Sequence, residues 1–150
     1  MKILIYNEGV FFSKWVSKFI NKCLQIAKKI KIEKIIYANF FFIKKNLNFA
    51  PLFLFFEILE QIKPIVGLKV YTLGVGKTKA IPIFLNIGLQ YKKALFWLVS
   101  SIIVRKEIKI INKVYGEFYD TLIKKTSETL LKKKKHYKYT IIFKSVKRFK

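Results

Sequence analysis

The sequence predicts a mainly α-helical fold, one bundle-like domain over residues 1–150 from which a β-hairpin protrudes. Three observations predict it. Apolar residues recur at helical spacing through most of the chain, and the spacing becomes strand-like only between residues 65 and 85. Glycine and proline, at 6 and 3 residues, are too scarce for many breaks. At 150 residues, 53% of them hydrophobic, the chain is long enough to bury its own core.

The first predicted helix begins near Phe11, after an extended tail over Met1–Val10. Lys14, Lys18 and Lys22 recur at i, i+4 on a second face of this helix. Such a row is either a solvated surface or a ridge that faces an anion, and the sequence leaves both open. The apolar stripe that predicts the helix is Phe12, Trp15, Val16, Phe19, Ile20 and Cys23.

A second helix is predicted from about Lys31 to Ile43, after a short connection around Ala27–Lys29. Lys28 and Lys29 then lie at or before its start, where the helix already carries positive dipole character. Lysines at this end destabilise the helix, so the presence of the pair indicates an anion site. The predicted buried line of this helix is Ile32, Ile35, Ile36, Asn39, Phe40 and Ile43.

The third helix and the hairpin follow. Pro51 suits the first position of a helix, and Pro64 ends that helix because the residue before a proline avoids the α region. Two arms rich in β-branched and aromatic residues, Ile65–Leu73 and Ala80–Leu85, then flank the turn Gly74–Lys77. The two glycines of the turn supply the positive φ that the reversal requires.

Helical spacing returns after Gly88, in a fourth helix that Lys92–Lys93 opens. The pattern breaks at Lys106–Ile108, and a long amphipathic helix follows. The run Lys132–Lys135 is expected to be a solvated, mobile connection before a basic C-terminal segment, residues 132–150. The predicted core of the two helices is Ala94, Leu95, Leu98, Ser101 and Ile102, then Ile111, Val114, Tyr115, Phe118 and Leu122.

The charge balance indicates an anionic partner. Lys and Arg number 31 against 8 Asp and Glu, a net charge of +23 that repels itself unless something neutralises it. Polyphosphate is the expected counterpart. The mean hydropathy of +0.25 also raises the alternative of a membrane-surface protein with cationic amphipathic helices. No charge-free run reaches the roughly 20 residues of a spanning helix, so no span is expected.

No catalytic residue, metal site, cofactor or small-molecule substrate is predicted. The string GVGKT lacks the glycine that a phosphate-binding NTPase loop needs at the position of Tyr71, and strand-like residues follow it. The single histidine, His136, lies in a lysine run with no acidic neighbour. The single cysteine, Cys23, is expected to be a core thiol.

Several strings resemble the family of the seventh protein of the small ribosomal subunit, in its bacterial and organellar form, and they occur in the family's order. They cover most of the chain from Phe11 onward. The strings are F-I-N (Phe19–Asn21), K-K (Lys28, Lys29), E-K-I-I-Y (Glu33–Tyr37), F-E-I-L-E-Q-I-K-P (Phe56–Pro64), V-G-K-T…I-P-I-F-L (Val75–Leu85), K-K-A-L-F-W-L-V (Lys92–Val99) and E-F-Y-D (Glu117–Asp120).

The resemblance implies six helices, with the hairpin between the third and the fourth, and a structural protein that binds small-subunit rRNA in the subunit head. It implies neighbouring head proteins, exit-site tRNA and mRNA as further partners, and no membrane. The chain is rich in Lys, Ile and Phe and poor in Gly and Pro, as an AT-rich genome would impose. Together with this composition, the short N-terminus and the missing targeting signal, the resemblance indicates a mitochondrial ribosome. The candidate RNA-binding residues are Lys28, Lys29, Lys31, Lys69, Lys77, Lys79, Lys92, Lys93, Arg105, Lys113, Lys147 and Arg148.

The chain departs from the family pattern at three places. The family's basic N-terminal extension is largely missing, since Met1–Val10 contains one lysine. Tyr71–Thr72 occupies the place of a basic pair on the hairpin, and Leu89–Gln90 the place of arginines before the fourth helix. Lys132–Lys135 is a candidate to compensate for these losses.

Overall fold

The computed structural model describes residues 13–72, 74 and 78–146. The predicted tail Met1–Val10 lies outside them. The described elements are α1 (Lys14–Cys23), α2 (Lys29–Leu47), α3 (Pro51–Ile62), β1 (Val66–Thr72), β2 (Thr78–Phe84), α4 (Ile87–Val104), α5 (Ile110–Tyr119), a π-helical turn (Asp120–Lys124) and α6 (Glu128–Val146). This confirms the mainly α class, with six α-helices in the described part and the hairpin between α3 and α4.

The core is a single cluster of apolar side chains contributed by α1 to α5. Rings of three helices meet at its centre, where Phe55 lies 5.5 Å from Phe19 and 6.4 Å from Phe118 between ring centroids. Most of the predicted stripe residues are buried, as helical spacing requires. Cys23 is among them, and burial raises the pKa of its thiol to about 12, so the core-thiol prediction is confirmed.

Local signals set the starts of two helices. Ser13 and Asn86 cap α1 and α4, and the Asn86 side chain accepts a hydrogen bond from the Leu89 N–H at 2.9 Å. Because of that cap, α4 begins at Ile87, and Lys92–Lys93 lie in its second turn rather than at its start. That prediction was therefore wrong.

The hairpin matches its predicted arms closely. β1 and β2 are antiparallel, and the register pairs Lys69 with Ile81 and Tyr71 with Lys79. Gly74 has φ +108°, the left-handed geometry that the reversal was expected to need. The other predicted turn residues, Val75–Lys77, lie outside the described residues.

The C-terminal part differs from its prediction. The long amphipathic helix ends at Tyr119 and continues as a π-helical turn, in which the Thr121 hydroxyl donates to the Glu117 carbonyl at 2.7 Å. Lys132–Lys135 lies inside α6 and is not a connection. The prediction failed because the side of α6 that packs against the protein is mostly polar, so no apolar period revealed a helix.

Candidate nucleic-acid interface

The first helix and the fourth lie side by side and present a cationic surface. Burial, together with repulsion from Lys14 on the same helix and Lys92 on α4, lowers the pKa of Lys18. We call Lys14, Lys18, Lys22 and Lys92 the lysine face. The contacts that align the helices are Trp15 with Tyr91 and Lys22 with Phe96.

Aromatic rings support the ammonium groups of this face. Lys18 Nζ lies 4.4 Å from the Trp15 ring centroid, and Lys22 Nζ lies 5.6 Å from that of Phe96. Both are cation–π contacts, which hold a charge at the surface without neutralising it. The Phe96 ring is 59% exposed, so its free area can also stack on an unpaired base.

None of the ion pairs among the described residues involves the lysine face. Glu60, a carboxylate beside Tyr91, has other partners: it accepts a hydrogen bond from the Tyr91 hydroxyl and pairs with Lys63. These two hydrogen bonds lower the pKa of Glu60, and the Glu60 bond raises that of Tyr91 to about 12. The charge of the lysine face is therefore left for a partner.

The hairpin adds a second cationic surface. Lys69, Tyr71 and Lys79 lie on one face of the two strands, because alternate residues share a face and Tyr71 pairs with Lys79. All three are exposed, and Lys69 Nζ lies 5.0 Å from the Tyr71 ring centroid. Lys77 lies outside the described residues.

The start of α2 holds the third group of predicted residues. Lys28 is the N-cap residue and Lys29 the first residue of the helix, and both are exposed, as expected. Lys29 lies 3.8 Å from Glu33, a long and exposed pair, and Lys31 faces solvent. Since α1 and α4 run in parallel, this group lies toward the far end of the lysine face from the hairpin.

Arg105, one of the candidate RNA-binding residues, has three carboxylate partners within the protein, which the sequence did not reveal. Its guanidinium lies 2.9 Å from both Glu117 and Asp120 and 2.7 Å from Glu107. Burial opposes the charge, but hydrogen bonds to Glu107, Asp120 and Glu117 outweigh it and raise the pKa of Arg105. Spacing along the sequence shows a lone arginine and cannot show three carboxylates that converge on it from later turns.

Two further predicted residues turn inward in part. The Lys113 ammonium donates to the Ile103 carbonyl at 3.3 Å, near the C-terminus of α4. Lys93 is half-buried, and burial lowers its pKa. Lys147 and Arg148 lie outside the described residues. The structure thus brings Lys92 together with the lysines of α1. The sequence shows the α1 lysines as an i, i+4 row, but they are not among the candidate RNA-binding residues.

The membrane alternative gains one observation from the fourth helix. Helix α4 is long and apolar enough to cross a membrane by length and composition, which the count of charge-free runs missed because Lys92–Lys93 interrupt it. Part of its apolar surface belongs to the core, through Ala94, Leu98 and Ile102, while Ile87 and Val104 are exposed.

Among the described residues no group of His, Cys, Asp and Glu is arranged to hold a metal ion.

Comparison with known proteins adds an independent finding. Residues 2–141 match the profile of the family described as Ribosomal protein S7p/S5e. Small ribosomal subunit protein uS7 of Thermodesulfovibrio yellowstonii is 34% identical over 131 residues, which cover 83% of this chain and 83% of that protein. The uS7 protein of Pelagibacter ubique is 30% identical over 126 residues, 84% of this chain and 80% of its own length. That of Carsonella ruddii is 32% identical over 120 residues, 80% and 76% of the two chains.

Proposed function

The chain belongs to the ribosomal protein S7p/S5e family, and from that membership and the lysine face we propose that it binds and organises the head domain of small-subunit rRNA. It is a structural, non-enzymatic protein of the small ribosomal subunit. The observation that carries the RNA-binding proposal is the lysine face, a group of four ammonium groups on two packed helices without a carboxylate partner among the described residues.

Binding of this kind works by charge and shape. Ammonium groups that neutralise phosphates release counterions, and such contacts fix the position of the RNA while they read little sequence. A folded RNA with splayed bases suits the surface, because exposed aromatic rings beside the lysines can stack on bases. The Phe96 ring is placed for that role.

Filter binding of the full chain to the head-domain rRNA tests the proposal in a salt titration. We expect the logarithm of the affinity to fall linearly with the logarithm of the salt concentration, by about 0.7–0.9 per phosphate contact. Anionic liposomes are the comparison ligand. Binding that salt does not weaken, or liposomes that outcompete the rRNA, would overturn the proposal.

The finer assignments are also proposals. We infer that residues 1–150 act as one rRNA-binding domain, near exit-site tRNA and mRNA, and that the hairpin surface of Lys69, Tyr71 and Lys79 contacts the same rRNA as the lysine face. Neighbouring head proteins would cover exposed apolar residues of the body, and Phe41 and Phe53, 70% and 61% exposed, are candidates. Crosslinking from a photoreactive residue at Thr72 in the assembled subunit tests the hairpin assignment.

A mitochondrial ribosome is proposed on composition. Lysine, isoleucine and phenylalanine are used heavily while Gly and Pro are scarce, as an AT-rich genome would impose. The similar proteins named above are bacterial, and an AT-rich bacterial genome would impose the same bias. Sedimentation of the protein with the small subunit of isolated mitochondria would support the organelle; its presence only on cytoplasmic or bacterial ribosomes would contradict it.

A further inference from the structure

Three side chains of α6 contact the backbone that joins α3 to the hairpin. Lys133 Nζ donates to the Gln61 carbonyl at 2.6 Å, and His136 Nε2 lies 2.8 Å from the Val66 carbonyl. The Tyr137 hydroxyl accepts from the Ile65 N–H at 3.0 Å. Their spacing, i, i+3 and i+4, places them on one face of the helix. We call residues 61–66 the junction.

Lys133 contacts the junction where a cation is most useful. Gln61 belongs to the last turn of α3, whose carbonyls have no partner within the helix and form the negative end of its dipole. Burial lowers the pKa of Lys133, and the charge of Lys63 lowers it further. The Lys133 ammonium is therefore partly desolvated where it bonds the C-terminal end of α3. A lysine run in solvent would have no such contact.

His136 has one tautomer in this position. The Val66 carbonyl can only accept, so Nε2 carries the hydrogen and donates it. Nε2 then cannot accept from Lys93, whose Nζ lies 3.4 Å away. Burial, and to a smaller extent the Lys93 charge, lower the pKa of His136, and the ring packs edge-on against Trp97 with centroids 5.3 Å apart.

These bonds act at the root of the hairpin. The Leu85 N–H donates to the Ile65 carbonyl at 2.9 Å and joins the end of β2 to the start of β1. The junction therefore orients both strands. Apolar packing between the strands and α6 is incomplete, because an open cavity of about 430 Å³ lies beside their contacts. It is lined by Val66, Ile81, Pro82, Ile83, Phe84, Tyr137, Thr140 and Ile141.

We propose that Lys133, His136 and Tyr137 are positioning residues that hold the hairpin at a fixed angle to the body. Their effect on RNA binding rests on the proposed function: at that angle Lys69 and Lys79 contact the same folded RNA as the lysine face. The inner part of the lysine run then orients the hairpin, while Lys134, on the outside of α6, does not.

A distance measurement on the full chain tests this. Spin labels on Thr72→Cys in the hairpin and Lys106→Cys in the body report the angle, since Cys23 is buried and its raised pKa keeps it unreactive. The test variant is Lys133→Met with Tyr137→Phe. The matched control is Lys134→Met with Tyr139→Phe, the same changes at exposed positions of the same helix.

We expect the test variant to broaden the distance distribution about twofold and the control to leave it unchanged. His136→Leu should broaden it too, and His136→Gln, which keeps a donor near Nε2, should restore it. Head-domain rRNA should bind the test variant about tenfold more weakly, because the hairpin is no longer preorganised.

An unchanged distribution in both the double variant and His136→Leu would overturn the positioning role, whatever the RNA result. A broadened distribution with wild-type rRNA affinity would overturn its link to RNA binding. Failure of the wild-type chain to bind rRNA would instead contradict the proposed function, and the distance measurement reads the hairpin angle independently of it.

Discussion

The Arg105 cluster and the lysine face carry positive charge in opposite ways. Arg105 meets three carboxylates within 2.9 Å, and Glu117, one of them, is fully buried and also accepts the Thr129 N–H at 3.2 Å. The cluster therefore joins the end of α4 to α5 and the start of α6. The lysine face has aromatic supports and no ion pair among the described residues. The role of a cationic side chain depends on which anion neutralises it. Its position in the sequence does not reveal that anion.

The largest expected effect comes from breaking the cluster. Arg105→Met leaves the buried Glu117 carboxylate without its cation, and such a loss costs about 3–5 kcal/mol of unfolding free energy. Urea denaturation measures it. The exposed neighbour Lys106→Met is the control and should change stability by less than about 0.5 kcal/mol. A similar small change for Arg105→Met would show that the cluster is not structural.

Removing charge from the lysine face should have the reverse pattern. In Lys14→Gln, Lys18→Gln, Lys92→Gln, rRNA affinity should fall by about one order of magnitude or more, and the salt slope should drop by about 2–3. Stability should change by less than about 1 kcal/mol, because relief of the Lys14–Lys18 repulsion is offset by loss of the Lys18–Trp15 cation–π contact. The salt titration and urea denaturation measure the two effects. An unchanged salt slope would contradict the assignment of this face.

Two glycines sharpen the comparison at a smaller scale. A Cβ at Gly116 would lie 2.6 Å from Arg105 Nη2, which the carboxylates hold in place. Gly116→Ala should therefore cost about 1 kcal/mol or more, although alanine favours a helix. Gly88→Ala, where the nearest atom is 3.8 Å away, should instead stabilise by about 0.4–1 kcal/mol. Thermal unfolding distinguishes them, and a gain at Gly116 would argue against a rigid cluster.

The smallest effect concerns His136, a titratable group beside Lys93 that belongs to neither region. Its pKa is lowered in the folded chain, so the unfolded chain takes up the proton first as pH falls. Stability should therefore decline as pH drops below about 6.5, and His136→Gln should remove that decline. Urea midpoints between pH 7.5 and 5 measure it, a range above the titration of the carboxylates. Equal pH profiles for both proteins would contradict a half-buried, neutral His136 ring.

The sequence predicted the apolar architecture well and the polar contacts poorly. Helical spacing identified the buried faces of α1 to α5 because apolar side chains must share a face to reach one core. It missed α6, whose inward face carries Lys133, His136 and Tyr137. Their partners are backbone atoms of the junction, and a backbone carbonyl leaves no mark in the side-chain pattern.

The candidate site divides along the same line. Lys28, Lys69 and Lys79 are exposed as expected, because hairpin arms and helix starts can be located from local signals. The α1 row was visible, but its convergence with Lys92 depends on the parallel packing of two helices distant in sequence. The ion pairs of Arg105 could not be predicted for a related reason, since its carboxylates become neighbours only after α5 and the π-helical turn form.

The most direct test of the account is lysine footprinting on the assembled small subunit. Acetylation followed by mass spectrometry compares each lysine in the free protein and in the particle. We expect protection of Lys14, Lys18 and Lys92, while the exposed Lys106 and Lys109 near the Arg105 cluster react equally in both. Protection of Lys106 and Lys109 with free reaction of the lysine face would contradict it.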